Sequence, residues 1–362
     1  MKKISRTILG LALMLGLNCN ITALAGTMYV NASNLNMRKE ASMTGQVIQL
    51  LPRGTAVEQV QDLGEWSQVT VNGKSGYVAT RYLAAAKSAD SRQESASTMA
   101  QTHVTSANAA KSWDVSLDMN APYASFSKIN SGKAIFYQSS SANRKEKTIC
   151  VNAGHGTKGG SSVKTLCHPD GTPKVTGGTT AAGATTAVAV SSGMTFNDGT
   201  PESKVTLAMA KILKEKLLAE GYDVLMIREG DDVQLDNIAR SVLANTNADC
   251  HIALHWDSTS KDKGCFFMSV PNNKTYRAME PVASHWQSHN RLGTCLIEGL
   301  RENGNKIFSS GSMEMDLTQT SYSTVPSVDI ELGDKASSYS DTTLNKLADG
   351  LVSGIHQFFE VN

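Results

Sequence analysis

The chain has 362 residues, a formal net charge of +1 and a sequence pI near 7.6. A charge this small gives no basic surface of the kind that binds nucleic acid or an anionic membrane, so neither is expected as a partner. By ordinary domain sizes, the length predicts about two domains.

Residues 1–25 have the pattern of a secretory signal peptide. Basic residues near the start precede an apolar run from Ile8 to Leu17 and the small-residue motif Ala23-Leu24-Ala25. The apolar run is too short to span a bilayer, and no later stretch approaches about 18 uninterrupted apolar residues. Cys19 follows Leu17-Asn18, which lacks the small residue expected before a lipidated cysteine. We therefore expect a secreted protein that is not held in a membrane after the signal is removed.

Five cysteines would remain after cleavage behind Ala25. An exported protein can form disulfides, but an odd number leaves at least one thiol unpaired. The wide spacing contains no CxxC motif, which argues against a zinc site built from cysteines. The cysteines are Cys150, Cys167, Cys250, Cys265 and Cys295.

Residues 26–84 are predicted to form a small all-β, barrel-like domain. Short alternating runs are separated by turn signals, among which Asn72-Gly73 is a typical hairpin turn. The segments Leu35-Asn36-Met37-Arg38, Trp66 and Gly76-Tyr77-Val78 resemble bacterial Src-homology-three-like domains. That resemblance implies attachment to the cell wall, with peptidoglycan as the partner. A module that only adds stability is the alternative, because fold does not imply function.

A polar linker is predicted for residues 85–115, which are rich in Ala, Ser, Thr and Gln and hold almost no large apolar residues. Residues 116–362 are assigned to a catalytic domain. From Thr148 onward, predicted strands and helices alternate for more than 200 residues. This alternation predicts an α/β domain with a mostly parallel sheet flanked by helices.

Four polar residues stand at the ends of predicted strands or helices in this second domain. His155 follows an apolar strand and is flanked by glycines, Glu202 opens a long helix, and His255 ends a strand. Two histidines and a carboxylate can hold Zn²⁺ and leave a position open for water. Glu331, on a later strand, is the candidate general base and acid for hydrolysis.

The order of these four residues resembles the zinc-dependent N-acetylmuramoyl-L-alanine amidases of the type-three family. The resemblance covers about residues 145–360 and implies that His155, Glu202 and His255 bind zinc and that Glu331 is catalytic. The chain departs from the family at Thr157-Lys158, at Asp257, and in the length of the segment after the first histidine. The resemblance implies a peptidoglycan hydrolase, or autolysin, that cuts the bond between N-acetylmuramic acid and L-alanine.

Two alternative functions remain at this point. A zinc-dependent peptidase that cuts the stem peptide would use the same metal chemistry. A wall-binding protein with a degenerate catalytic domain would have no catalytic activity. Within the chain, His285 and His289 lie one helical turn apart but lack the glutamate of the zincin motif. Asp249-Cys250-His251 faintly resembles the site of cysteine-type wall endopeptidases. Cys250 begins an apolar strand, however, where burial would not lower the pKa of its thiol and so would not activate it as a nucleophile.

Residues 157–200 are dominated by Gly, Thr, Ser and Ala and show no sustained periodicity. A segment this long inside a compact domain is usually either functional or disordered. The sequence leaves both interpretations open: a segment that covers the substrate, or an insertion without a role.

Overall fold

The computed structural model describes residues 26–30, 34–42, 45–52, 54–64, 66–85 and 111–360. The predicted signal peptide, residues 1–25, and most of the predicted linker lie outside the described residues. The chain divides into two compact units, Met1–Glu94 and Ser95–Asn362.

The first unit is an all-β domain built on one antiparallel sheet. Its strands are β1 (Gly26–Val30), β2 (Asn34–Arg38), β3 (Val47–Pro52), β4 (Ala56–Asp62), β5 (Trp66–Val71), β6 (Lys74–Ala79) and β7 (Leu83–Ala85), in the spatial order β3-β2-β6-β5-β4-β1-β7. The predicted hairpin at Asn72-Gly73 is confirmed, since it joins β5 to β6 with φ values of 49° and 78°. Alternate residues face one apolar core that includes Met37, Leu51 and Val69.

In its described residues, 111–360, the second unit combines ten strands and five α-helices. The strands are β8 (Lys111–Ser116), β9 (Lys133–Gln138), β10 (Thr148–Ala153), β11 (Lys164–Leu166), β12 (Thr186–Val188), β13 (Asp223–Met226), β14 (Cys250–Asp257), β15 (Cys265–Ser269), β16 (Ile307–Glu314) and β17 (Ser327–Asp334). The helices are α1 (Glu202–Ala219), α2 (Asn237–Asn247), α3 (Val282–Glu302), α4 (Thr318–Tyr322) and α5 (Asp341–Glu360).

The main sheet is mixed, which corrects the expectation of a mostly parallel sheet. Its strand order is β16-β15-β17-β14-β10-β13-β9-β8. The centre, from β17 through β14 and β10 to β13, is parallel. On one side β9 and β8 join antiparallel, and on the other β15 runs antiparallel to β17. The connections from β9 to β10 and from β14 to β15 are too short for a crossover, which takes a dozen or more residues, so β9 and β15 run opposite to the central strands.

Helices cover both faces of this sheet. Side chains of α1, α3 and α5 pack with Ile149, Val151 and Leu254 in the larger core, while α2 packs with Cys150 and Leu225 on the opposite face. Neighbouring residues of β10 thus belong to different cores, as the two-residue period of a strand requires. A strand buried on both faces reads as a continuous apolar run, which explains the sequence around residue 150.

Strand β8 lies in the last part of the segment that the sequence predicts as linker. It pairs with β9 from Lys111↔Gln138 to Ser116↔Lys133, so the second unit includes residues before 116. In the described parts of the chain, no helix combines the length and apolarity needed to cross a membrane.

Candidate metal centre and active-site cleft

His155 is presented by a tight turn just beyond the carboxyl end of β10. Its φ is +63°, and Gly156 follows with a φ of +73°, so the chain turns sharply out of the sheet. A side chain at Gly154 would collide with the ring of His255. The turn therefore lets the two histidines approach each other.

Two buried arginines hold this turn through its carbonyl oxygens. Arg228 donates to the carbonyls of Ala153 and Gly154, and Arg240 donates to the carbonyl of His155 at 2.8 Å. Both side chains are almost fully buried. Because a guanidinium offers five donors in a fixed fork, each arginine can satisfy several buried carbonyls at once.

Glu202 begins α1 and points back at the two histidines. Its Oε1 lies 2.8 Å from Nε2 of His155 and 3.1 Å from Nδ1 of His255. Burial alone would raise the pKa of Glu202, but hydrogen bonds and charges from His155 and His255 outweigh it and hold the pKa well below its ordinary value. The carboxylate is thus ionised and ready to bind a cation.

His255 completes the cluster from the neighbouring strand β14. Its Nδ1 lies 3.0 Å from Nε2 of His155, and the two rings are perpendicular. Burial lowers the pKa of His255, but Asp329 and then Glu202 outweigh that effect and raise the pKa to about 10. The three predicted ligands His155, Glu202 and His255 are therefore together, with one donor atom from each within 4.8 Å of the others. No other such cluster occurs among the residues that the structure describes.

Two further carboxylates face the same cleft from β17. Glu331 is the register partner of His255, and Asp329 lies two residues earlier on the same strand. Burial, followed by the charge of Asp329, raises the pKa of Glu331 well above its ordinary value. Burial likewise raises the pKa of Asp329. Sequence reasoning identified Glu331 but missed Asp329, although the two-residue period of a strand places both on one face.

The charges and donor atoms of this cleft fit a divalent cation. Three carboxylates, from Glu202, Asp329 and Glu331, converge on two imidazoles. Within the described structure, Oδ1 of Asp329 and Oε2 of Glu331 are buried without a hydrogen-bond partner. An unpaired buried carboxylate is costly, and a bound cation would offset that cost. Nitrogen and oxygen donors in this number suit zinc.

Residues 157–200 contribute directly to the site. The carbonyl of Ser191 lies 2.9 Å from Nδ1 of His155, and the N–H of Met194 donates to Oε2 of Glu202 at 2.8 Å. These contacts orient the two side chains from behind, which is how outer residues tune a metal site. The sequence alone does not predict these contacts, because the segment has no periodicity.

Residues 157–200, here called the inserted segment, are fixed to the rest of the domain by Asp316. This buried carboxylate accepts from Nε2 of His168 at 3.0 Å and from the N–H groups of Val175 and Thr176 at 2.8 and 3.0 Å, and it forms an ion pair with Lys174. Burial would raise the pKa of Asp316, but the hydrogen bonds, led by that of His168, hold it well below its ordinary value.

The cluster opens into a cleft of about 640 Å³. The inserted segment, β14, β17 and the region after β16 all contribute to its walls. Residues lining the cleft near the cluster include Ser192, Gly193, Met194, Asp257, Met268, Met313, Met315 and Gln319. A space of this size accommodates a group as large as a small-molecule ligand next to the histidines.

The competing motifs do not form a second site. Nδ1 of His285 bonds the carbonyl of Pro281, while Nδ1 of His289 accepts from the N–H of Ser327, so the pair is used structurally. Cys250 is fully buried, and burial raises its pKa well above the ordinary value. A thiol in that state is not a nucleophile. All five described cysteines are free thiols.

Comparison with known proteins assigns both parts of the chain. A family model described as N-acetylmuramoyl-L-alanine amidase matches residues 149–357, and one described as a bacterial SH3 domain matches residues 33–84. No curated protein matches the chain.

Several solved structures are similar to the chain. The amidase Ami1 from Mycobacterium smegmatis is 18% identical over 60% of this chain and 98% of that one, with a TM-score of 0.49. The apo form of Ami1 from Mycobacterium abscessus is 20% identical over 60% and 99%, with a TM-score of 0.47. The catalytic domain of CwlV from Bacillus (Paenibacillus) polymyxa var. colistinus is 17% identical over 60% and 99%, with a TM-score of 0.41. At these scores the similarities add nothing to the family match.

Proposed function

We propose that this chain, which belongs to the N-acetylmuramoyl-L-alanine amidase family, is a secreted, zinc-dependent enzyme of the cell wall. It hydrolyses the amide bond between N-acetylmuramic acid and L-alanine in peptidoglycan. The single observation that carries the metal-dependent part is the convergence of His155, Glu202 and His255, whose donor atoms lie within 4.8 Å of one another.

His155, Glu202 and His255 hold the zinc ion in this proposal. Zinc, when bound, supplies Lewis acidity for the scissile carbonyl and for the attacking water. The arginine-braced turn and the helix start of α1 keep the two flanking ligands, His155 and Glu202, in place before the substrate arrives. Because these supports are rigid, little reorganisation is needed during the reaction.

Glu331 carries the proton in this proposal. Amide hydrolysis requires a base that takes a proton from water and an acid that gives one to the departing nitrogen. A carboxyl group with an elevated pKa can do both in turn, because it gains and loses a proton near the working pH. Burial and the charge of Asp329 raise the pKa of Glu331 above its ordinary value, which favours this role.

The N-terminal module has a separate role in the proposal. Residues 26–84 include the match to a bacterial SH3 domain and contain none of the proposed metal ligands. We assign to this module the attachment of the enzyme to peptidoglycan after export, which the signal-peptide pattern of residues 1–25 directs.

Product analysis on purified cell wall tests this function directly. The wild-type enzyme should release dye from labelled wall, lose this activity on chelation, and regain it with Zn²⁺. The products should contain new free lactyl groups of muramic acid and intact stem peptides. New amino termini inside the stem peptide would instead identify a peptidase, and no release under any metal condition would identify a wall-binding protein.

A further inference from the structure

Asp329 is a cleft carboxylate that is neither a proposed metal ligand nor the proposed acid–base group. It lies on β17, where its register partner is Ala253 on β14. Only 17% of its side chain is exposed, and its Oδ1 is buried without a hydrogen-bond partner within the described residues. Since a buried carboxylate without partners is unfavourable, its position needs a compensating interaction.

Asp329 faces the side of the His255 ring that is turned away from the metal cluster. Oδ2 of Asp329 lies 3.6 Å from Nε2 of His255. That separation is in the range of an ion pair but exceeds a hydrogen bond, so a small rotation of either side chain would close it. The opposite ring nitrogen, Nδ1, faces His155 and Glu202 at 3.0 and 3.1 Å.

Each histidine of the cluster directs one ring nitrogen at the cluster and the other at an oxygen atom, but the two rings use opposite nitrogens. His155 directs Nε2 at the cluster, and its Nδ1 contacts the carbonyl oxygen of Ser191. His255 directs Nδ1 at the cluster, and its Nε2 faces the carboxylate of Asp329. An oxygen acceptor behind each ring fixes which nitrogen carries the proton and leaves the other free to bind metal.

We propose that Asp329 is a positioning residue of the metal centre, which accepts the Nε2–H of His255 and holds the tautomer whose Nδ1 binds zinc. The inference rests on the proposed zinc site and adds a residue to it. In this role Asp329 is not a ligand of the metal, and it acts on the centre through the orientation and basicity of the His255 ring.

The test measures zinc affinity of the full-length protein by competition with a chromogenic chelator. Asp329→Asn keeps an acceptor oxygen but removes the charge, and Asp329→Leu removes both. Because outer partners of a metal-binding histidine typically contribute 10- to 100-fold in affinity, we expect zinc binding to weaken by about 10-fold in Asp329→Asn and by more in Asp329→Leu.

The control is Asp223→Asn on β13. Asp223 is also a buried carboxylate of the same sheet, but it pairs with Arg144 and lies at the opposite end of its strand from the cleft. This substitution should lower thermal stability and leave zinc affinity unchanged. It separates the loss of a buried charge in general from the loss of support for His255.

A spectroscopic measurement adds a signal that a purely structural role would not change. In the zinc-loaded, ¹⁵N-histidine-labelled protein, His255 should appear as the Nε2–H tautomer, and Asp329→Leu should shift or broaden this resonance but not that of His155. Equal zinc affinity in wild type, Asp329→Asn and Asp329→Leu with an unchanged His255 signal would overturn the role of Asp329. Failure of the wild type itself to bind zinc would instead refute the proposed function.

Discussion

Gly193 lies directly against both His155 and Glu202. A β carbon at this position would lie 2.7 Å from Cδ2 of His155 and 2.8 Å from Oε2 of Glu202, and the φ of Gly193 is +81°. Only a hydrogen atom fits between the backbone and the two side chains. The inserted segment is therefore packed against the proposed metal centre, where a single methyl group would displace two proposed ligands.

Gly193→Ala should reduce zinc affinity and wall hydrolysis together. The new methyl group has to push His155 or Glu202 away from the cluster, and we expect a loss on the order of tenfold or more in affinity, as for other disturbances of the supporting residues of a metal site. Chelator competition measures the affinity, and dye release from labelled wall measures the activity.

Gly183→Ala is the matched control for this substitution. Gly183 lies in the same segment with a φ of +87°, but nothing lies within 4 Å of its hypothetical β carbon. It therefore carries the same backbone strain without the collision. A comparable loss of zinc affinity in both variants would show that strain, rather than contact with the ligands, is responsible.

Substitution of the proposed ligands and of the proposed acid–base should have different effects. His155→Ala or His255→Ala should lose both zinc and activity, because two remaining ligands hold the ion poorly. Glu331→Gln should keep zinc and reduce turnover by on the order of a hundredfold or more, the usual scale for a general acid or base. Metal content by elemental analysis and steady-state rates distinguish the two classes, and near-normal turnover of Glu331→Gln would remove it from the mechanism.

The sequence predicts a residue of the proposed site most readily where a metal-binding side chain lies at the end of a strand or helix. His155 follows β10, Glu202 begins α1, and His255 lies two residues before the end of β14. Glu331 lies inside β17, and its predicted role comes from the family resemblance. Asp329 was missed because a polar residue inside a strand reads as a solvent-facing position. The contacts of Ser191 with His155 and of Met194 with Glu202 use backbone atoms. Such contacts cannot be predicted from the pattern of side chains in the sequence.

Sheet direction was the part of the fold that the pattern predicted wrongly. Alternation of strands and helices predicts a mostly parallel sheet, yet β14 ends at Asp257 and β15 begins at Cys265. So short a connection cannot make a helical crossover, which forces β15 to run opposite to β14. The length of the loop between β14 and β15 therefore predicts the direction of β15, whereas the composition of the strands does not.

Asp316→Asn should destabilise the catalytic unit by detaching the inserted segment. The substitution leaves the buried Lys174 without its counter-ion and weakens the contact with His168. Loss of one partner from a buried ion pair costs on the order of 3 kcal/mol. Urea unfolding measures the change. Asp114→Asn, which removes an exposed pair with Lys133, should have little effect.

The contribution of Asp316 should also depend on pH. Hydrogen bonds hold its pKa in the folded protein below the ordinary value, which is about 3.9 in an unfolded chain. Its stabilising effect is therefore present above about pH 4 and is lost as the pH falls toward the folded-state pKa. The difference in unfolding free energy between wild type and Asp316→Asn should narrow as the pH falls below about 4. A difference that widens in acid would contradict the proposed charge state.

The start of the catalytic unit can be tested by truncation. A chain that begins at residue 111 retains β8, whereas one that begins at residue 117 loses this strand and the stacking of Trp113 on Phe136, whose ring centroids are 4.5 Å apart. We expect the shorter chain to be less stable by on the order of 1–2 kcal/mol, because an aromatic pair and an edge strand are removed. Equal unfolding midpoints would restore the predicted boundary at residue 116.

Separation of the two units should divide activity by substrate. The module of residues 26–84 supplies none of the proposed ligands, so a chain of residues 111–362 should bind zinc and cleave small soluble muropeptides at close to the full-length rate. On insoluble wall, attachment through a second module raises the effective concentration of the active site, and its loss should reduce activity by about tenfold or more. Isolated residues 26–85 should sediment with purified wall, while residues 111–362 should remain largely in solution. Equal sedimentation of both parts, or equal activity on insoluble wall with and without the module, would leave residues 26–84 with a structural role alone.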